Sequence, residues 1–206
     1  MNRRIAVLAL VIGSALLAGC VNQTPDPTST PSTASSRPPT SGPSEPSATP
    51  STPSEEEAAA LAAEDAVRAY NQATVDCLAD PASSQPTCFD RVAIGTELTN
   101  LRNLLASAQQ MQTHATGSIE VVSVDVMSVS LDIDLEASPP VVPEVVLDVC
   151  RDVSGYDVVD KDGNSVVSPD RVDRRMIEFH VLNYDYPDPT AWRVGFYVAP
   201  DEVTTC

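Results

Sequence analysis

Cysteine is the residue type in this 206-residue chain that is best suited to chemistry. The sequence contains five of them: Cys20, Cys77, Cys88, Cys150 and Cys206. Thiols in such an arrangement carry lipid, form disulfides or bind zinc. A zinc site is not supported, because the chain has no C-x-x-C pair and only two histidines. The choice between lipid and disulfides depends on the compartment in which the protein resides.

The first of these cysteines follows a segment that is typical of exported proteins. Arg3 and Arg4 precede an apolar run over residues 5–18, which is too short to cross a bilayer comfortably but suits a signal peptide. The run ends in Leu-Ala-Gly-Cys at 17–20, which resembles the lipobox of bacterial lipoproteins. This resemblance implies that residues 1–19 are a lipoprotein signal peptide and that Cys20 receives diacylglycerol and palmitate. A diacylated cysteine anchors a protein without a basic patch, so we expect lipid attachment to the extracytoplasmic face of the cell membrane.

An ordinary signal peptide is the alternative, with Cys20 as one half of a disulfide or as a free thiol. An exported protein with five cysteines leaves one unpaired, whereas lipidation of Cys20 leaves four that can pair completely. Three connectivities are then possible. The one that pairs cysteines adjacent in sequence order joins Cys77 to Cys88 and Cys150 to Cys206. In the chain-entropy model these loops stabilise the fold by about 3 and about 4 kcal/mol.

The charge balance of the chain excludes some classes of partner. The formal net charge is -17, from 12 Lys and Arg against 29 Asp and Glu. Cleavage before Cys20 would remove Arg3 and Arg4 and no acid, so the mature chain is more acidic still. Such a charge repels phosphate backbones and anionic headgroups. We therefore expect neither nucleic-acid binding nor a polybasic membrane patch.

The acidic stretch that contains Asp157, Asp160, Asp162 and Gly163 superficially resembles a calcium-binding loop. Their spacing does not fit the EF-hand pattern, and no glutamate stands at the closing position. The stretch 160–164 instead predicts a hairpin turn that leads into a strand at 174–184. We expect no metal and no other cofactor.

The elements that position these residues begin after a linker. Residues 20–54 are rich in Ser, Thr and Pro and have little to bury, which predicts a disordered segment. Residues 55–206 are the predicted globular domain. Ser54 and Glu57 form a capping-box pattern that predicts the start of a helix. Apolar or small residues then recur at helical spacing in two stripes: Ala63, Val67, Tyr70, Thr74 and Cys77, followed by Ile94, Leu98, Leu101, Leu105 and Ala108.

A change of period after Gly117 indicates strands. Apolar residues alternate with polar ones from Val124 to Leu135, but the phase slips near 121–122 and near 126–127. Bulges or a bend in one long strand would explain these slips, and so would two separate strands. Further strands are predicted at 145–153, 174–184 and 192–198. The predicted fold class is α+β, with the N-terminal helices packed on a curved antiparallel sheet of about four strands.

This layout resembles the NTF2-like lipoproteins of actinobacteria. The resemblance lies in the lipobox, the linker, the helices and four short stretches, namely residues 149–154, the turn at 162–163, the strand at 174–181 and residues 191–194. It implies a cone-shaped domain whose helices and curved sheet enclose a pocket. Relatives of this fold include ketosteroid-isomerase-like and SnoaL-like enzymes as well as non-catalytic binding modules.

A non-catalytic binding module is the function that the sequence favours. No nucleophile motif, phosphate loop or metal cluster is apparent, and the expected partner is an envelope protein, a wall component or a small apolar ligand. Tyr184, Tyr186, Trp192 and Tyr197 are candidates to line a pocket or a contact face. For Trp192 and Tyr197 we expect a place in the core instead.

Two alternative functions remain open. The first is a ketosteroid-isomerase-like or SnoaL-like enzyme in the cell envelope, for which Asp125, Asp152 and Tyr70 are candidate participants. No spacing singles these residues out, and exposed positions are expected for both aspartates. The second alternative is a structural surface spacer.

Overall fold

The computed structural model describes residues 52–199 and 204–206. The predicted signal peptide, the lipidation site Cys20 and residues 21–51 of the predicted linker lie outside the described residues. The described chain is α+β, with two α-helices, a four-stranded antiparallel sheet and a two-stranded antiparallel sheet. The prediction of an α+β fold is confirmed at this level.

The first helix, α1 (Glu55–Ala79), begins at the predicted capping box. The Ser54 hydroxyl accepts a hydrogen bond from the Glu57 backbone N–H at 3.2 Å, and the Glu57 carboxylate accepts one from the Ser54 N–H at 2.8 Å. These reciprocal bonds satisfy two donors that a helix start would otherwise leave unpaired. The predicted stripe on this helix is buried throughout: Ala63, Val67, Tyr70, Thr74 and Cys77.

The second helix, α2 (Gly95–Met111), is attached to the sheet at its start. A short 3₁₀-helix (Pro86–Phe89) precedes it. The Ile94 N–H donates to the Val194 carbonyl at 2.9 Å, and the Val194 N–H donates to the Val92 carbonyl at 3.0 Å. These two bonds fix the position of the first turn of α2.

Six strands complete the described part of the chain. The larger sheet has the order β2-β3-β5-β6 and the smaller one pairs β1 with β4. Their bounds are β1 (His114–Gly117), β2 (Glu120–Ser130), β3 (Glu144–Asp152), β4 (Tyr156–Val159), β5 (Arg174–Leu182) and β6 (Arg193–Val198). The sequence did not predict β1 and β4, because four residues are too few to show an alternating pattern.

Strand β2 accounts for both slips in the hydrophobic phase. Its pairing with β3 shifts register between Val121 and Ser123 and again between Val126 and Ser128, so one strand contains two irregularities. The predicted continuation to Leu135 is wrong, because β2 ends at Ser130. The Asp134 carboxylate accepts hydrogen bonds from the backbone N–H groups of the residues two and three positions later, at 3.0 and 3.1 Å. This turn replaces the strand ladder.

The turn at residues 160–164 is present, but the predicted partner strand is wrong. The Asp160 carboxylate accepts from the N–H groups of Asp162 and Asn164 at 2.9 Å, and Gly163 supplies the positive φ of +83°. Across this turn, Val159 at the end of β4 pairs with Ser165 in an isolated bridge. Strand β5 pairs with β3 instead. The turn thus uses the Asp160 carboxylate as a backbone acceptor. Within residues 52–199 and 204–206, no group of three or more His, Cys, Asp or Glu side chains could hold a metal ion.

Two disulfides brace the domain, which confirms the prediction of disulfide bonds. The bond between Cys77 and Cys88 joins the last turns of α1 to the 3₁₀-helix, and the bond between Cys150 and Cys206 fastens the C-terminal residue to β3. In the part of the chain that the structure describes, no helix is long and apolar enough to cross a membrane.

The core lies between the helices and one face of the larger sheet. That face, here called the inner face, carries alternate residues of β3 and β5, and six of these are at most 1% exposed: Val145, Leu147, Val149, Ile177, Phe179 and Val181. The Tyr70 ring of α1 meets the Phe179 ring edge-on, with centroids 5.8 Å apart. These residues form one buried hydrophobic cluster with residues of α1 and α2.

Candidate ligand-binding cleft

The inner face of the sheet ends in two arginines that face each other. Three apolar pairs cross from β3 to β5, the last of them Val149 with Ile177, and the next inward pair is Arg151 with Arg175. Each arginine continues the alternation that buries the core, so both side chains belong to the inner face. Like charges directly opposite each other in a sheet are destabilising. The arrangement therefore needs a compensating partner.

The guanidinium of Arg151 is poorly compensated within the protein. Its Nε atom is buried and has no hydrogen-bond partner among the described residues. Within the same residues, no carboxylate lies within 4.0 Å of the guanidinium of Arg151 or of Arg175. Burial is the main cause that lowers the pKa of Arg151 below its ordinary value. The phenol groups of Tyr70 and Tyr197 act in the opposite direction, and the nearby positive charge of Arg175 lowers the pKa further.

A cleft of about 270 Å³ opens beside these two arginines. Side chains from both helices and from β3, β4, β5 and β6 line it. Leu101, Leu104 and Ile119 form its apolar part, whereas Tyr156 and Tyr197 bring phenol groups. Leu104 is 46% exposed and Tyr197 is 40% exposed, so the cleft is accessible from solvent. Its lining combines apolar walls with converging polar groups, as small-molecule sites do.

A third arginine borders the same cleft but is already engaged. The Arg171 Nε donates to the Asp173 carboxylate at 2.9 Å, and its Nη2 donates to the Val153 carbonyl at 2.9 Å. A second cleft of about 360 Å³ shares Arg171 and both inward arginines with the first. The arginines thus form a wall common to two openings.

A buried polar network closes the helical side of the cleft. The Tyr70 hydroxyl donates to Glu97 Oε1 at 2.5 Å, and Asn100 Nδ2 donates to Glu97 Oε2 at 3.2 Å. Burial raises the pKa of Tyr70 above its ordinary value, and the adjacent Glu97 carboxylate adds to the effect, so the phenol stays a donor. Both oxygens of the 3% exposed Glu97 therefore have a donor from the protein itself. The network joins α1 to α2.

The aspartates considered for catalysis do not meet Tyr70. Asp125 is exposed on β2, in agreement with the expectation for it. The Asp152 carboxylate accepts from the Ser154 N–H at 2.8 Å and lies 4.0 Å from Arg174. Hydrogen bonds from Ser154 are the main cause that lowers the pKa of Asp152. Neither aspartate lines the cleft, whereas Tyr70 does.

Only one of the four late aromatic residues lines the cleft. Trp192 is 4% exposed and meets the Tyr186 ring edge-on at 6.5 Å, which confirms its expected place in the core. Tyr184 is exposed. The expectation of a core position is wrong for Tyr197, because β6 is an edge strand of the larger sheet and leaves this ring partly exposed in the cleft. None of the four disulfide cysteines lines the cleft.

Sequence reasoning did not find Glu97, Arg151 and Arg175 as site residues. A signal was present for the two arginines, since Arg151 follows three alternate apolar residues of β3 in phase and Arg175 precedes three of β5 in phase. Glu97 has no comparable signal, because its burial depends on the distant Tyr70.

The Tyr70 network makes a prediction about stability. Replacing Tyr70 with Phe removes one donor from the buried Glu97 carboxylate, which should cost about 1–3 kcal/mol of unfolding free energy. Urea denaturation followed by circular dichroism measures this loss. Tyr184→Phe, at a 52% exposed tyrosine, is the matched control and should change stability by less than about 0.5 kcal/mol. Equal effects of the two variants would show that the network contributes nothing.

Comparisons with known proteins add little to this geometry. No family model matches the chain, and no curated protein matches it. Among solved structures, the intermembrane space region of the chloroplast protein ARC6 is similar to it, with a TM-score of 0.47 and 13% sequence identity. The similarity covers 71% of this chain and 97% of that chain. At this TM-score the similarity supports no conclusion about function.

Proposed function

We propose that this protein is a membrane-anchored extracytoplasmic lipoprotein whose globular domain is a non-catalytic, NTF2-like binding module. Cys20 carries the lipid, and residues 21–54 separate the membrane from the domain. The cleft beside Arg151 and Arg175 is the binding site, and a small ligand with an apolar part is its occupant.

The membrane anchor rests on the leader and on the cysteine arithmetic. An apolar run that ends in Leu-Ala-Gly-Cys is suited to lipoprotein processing. The other four cysteines are all in disulfides, which persist in oxidising compartments outside the cytosol. Cys20 is thereby the one cysteine left for lipid.

The cleft is the observation that carries the binding function. Polar groups from both helices and from four strands converge on it beside an apolar wall of Leu101, Leu104 and Ile119. A spacer needs no such convergence. Helices that cover one sheet face with a cleft between the layers are also what an NTF2-like cone requires.

Catalysis of the ketosteroid-isomerase type is less well supported. It needs a carboxylate free to take a proton from a substrate, beside a hydrogen-bond donor. Glu97 is the carboxylate in the cleft, but Tyr70 and Asn100 already donate to its two oxygens. Asp125 and Asp152 do not line the cleft.

The anchor predicts a defined mass. Protein isolated from bacterial membranes should begin at Cys20 and carry a diacylglyceryl group, and four further cysteines should become alkylatable only after reduction. Intact-mass spectrometry before and after reduction measures both properties. The Cys20→Ser variant should lack the diacylglyceryl mass. An unlipidated wild-type chain, or free thiols before reduction, would contradict the proposal.

The cleft predicts binding of an uncharged apolar probe. N-phenyl-1-naphthylamine should increase its fluorescence with residues 20–206 carrying Cys20→Ser, a form that needs no detergent. Leu104→Asp places a charge in the apolar wall and should weaken binding about tenfold, which corresponds to roughly 1.4 kcal/mol.

Leu61→Asp is the matched control for this experiment. Leu61 is 58% exposed on α1 and Leu104 is 46% exposed on α2, so neither change disturbs the core. The control should bind the probe as the unchanged chain does. Absence of binding, or equal losses in both variants, would refute the cleft as the site.

A further inference from the structure

The charge of the cleft contrasts with the charge of the whole protein. The chain has only 12 Lys and Arg against 29 Asp and Glu, yet three arginines border this one cleft. One of them, Arg171, already has Asp173 as its partner. Arg151 and Arg175 remain, directly opposite each other across β3 and β5.

These two arginines lack the partners that the rest of the protein could supply. Acids are abundant, but within residues 52–199 and 204–206 none lies within 4.0 Å of either guanidinium. Glu97 lines the same cleft and is bonded to Tyr70 and Asn100 instead. A buried donor without a partner is costly, as is a like-charge pair across two strands. A ligand anion would relieve both costs.

Arg174, the residue before Arg175, differs from it in having an acidic neighbour. It precedes Arg175 on β5, so its side chain lies on the opposite face of the sheet. There it has the Asp152 carboxylate at 4.0 Å. The outward arginine thus has an acidic neighbour, whereas the inward one does not.

The geometry points to an amphiphile with an oxyanion head as the ligand of this cleft, with Arg151 and Arg175 holding the head and the apolar wall of Leu101, Leu104 and Ile119 holding the body. This inference rests on the proposed binding function and names its ligand class. Guanidinium groups match carboxylate and phosphate oxygens in paired hydrogen bonds, so the head is a carboxylate or a phosphate. The tyrosine hydroxyls of Tyr156 and Tyr197 border the same space.

Contact inside the cleft must supply the affinity. An acidic protein repels anions at long range, so electrostatic steering does not speed their arrival. Free inorganic anions therefore bind weakly, whereas an anion joined to an apolar body gains from both parts of the cleft.

Two fluorescent probes test the inference on residues 20–206 carrying Cys20→Ser. Anilinonaphthalene sulfonate is apolar with an oxyanion, and N-phenyl-1-naphthylamine is its uncharged counterpart. The anionic probe should bind the unchanged chain more tightly than the uncharged probe does. Arg175→Gln and Arg151→Met should each weaken the anionic probe about tenfold or more and change the uncharged probe by less than about twofold.

Arg174→Gln is the matched control, since it removes the same charge from the adjacent position on the other face. It should leave both probes unchanged. Equal losses of the anionic probe in Arg174→Gln and Arg175→Gln, or no loss in either inward variant, would overturn the inference. Arg175 is exposed, so its variant remains informative if Arg151→Met fails to fold.

Competition separates the two possible heads. Decanoate and decyl phosphate should displace the anionic probe at lower concentration than decanol, and the stronger of the two identifies the head. Equal displacement by decanol would overturn the inference. If the uncharged probe does not bind the unchanged chain, the proposed binding function itself fails, whereas binding of both probes with equal affinity refutes only the oxyanion.

Discussion

The alternation of side chains along β3 and β5 is the constraint on which the rest of the domain depends. One face of these strands is almost fully buried, from Val145 to Val149 and from Ile177 to Val181. A slip by one residue would turn this whole apolar set towards solvent, so the register is strongly specified. The same register determines that Arg151 and Arg175 point inward. The core and the cleft are therefore consequences of one pairing.

The two helices cover the inner face of the sheet. The capping box at Ser54 starts α1 so that its small-residue stripe covers the inner face, and the bonds to Val194 fix the start of α2. Tyr70 and Glu97 then join the two helices above the cleft. These contacts close the apolar part of the interface between the helices and the inner face. Arg151 and Arg175 therefore lie at the end of this interface that opens to solvent.

Local patterns allowed much of this fold to be predicted. The capping box, both helical stripes and the two slips in β2 are properties of neighbouring residues, and the structure has all of them. The prediction of a strand was wrong at Asp134, where the side-chain carboxylate accepts a backbone hydrogen bond and so stabilises a turn in place of the strand. The small sheet was missed because its strands have four residues each.

The site was harder to predict than the fold. Its parts come from residues as far apart as Tyr70 and Tyr197, and only the folded chain brings them together. The candidates chosen for chemical type, Asp125 and Asp152, lie elsewhere. The residues that matter were marked by position, because Arg151 and Arg175 interrupt an apolar face at its end. A charged residue in phase with a buried stripe is thus a better indicator of a site here than an acid chosen for its chemical type.

The Nε–H of Arg151, which has no hydrogen-bond partner among the described residues, is the most direct reporter of an oxyanion in the cleft. Its arginine Nε–H resonance can be followed by ¹⁵N–¹H NMR during titration with decanoate, with Arg102, which pairs with Asp90 on the surface, as an internal reference. The Arg151 and Arg175 signals should shift with a saturable dependence on decanoate concentration while the Arg102 signal stays in place. Unchanged Arg151 and Arg175 signals, or equal shifts at all three arginines, would contradict an oxyanion site in the cleft.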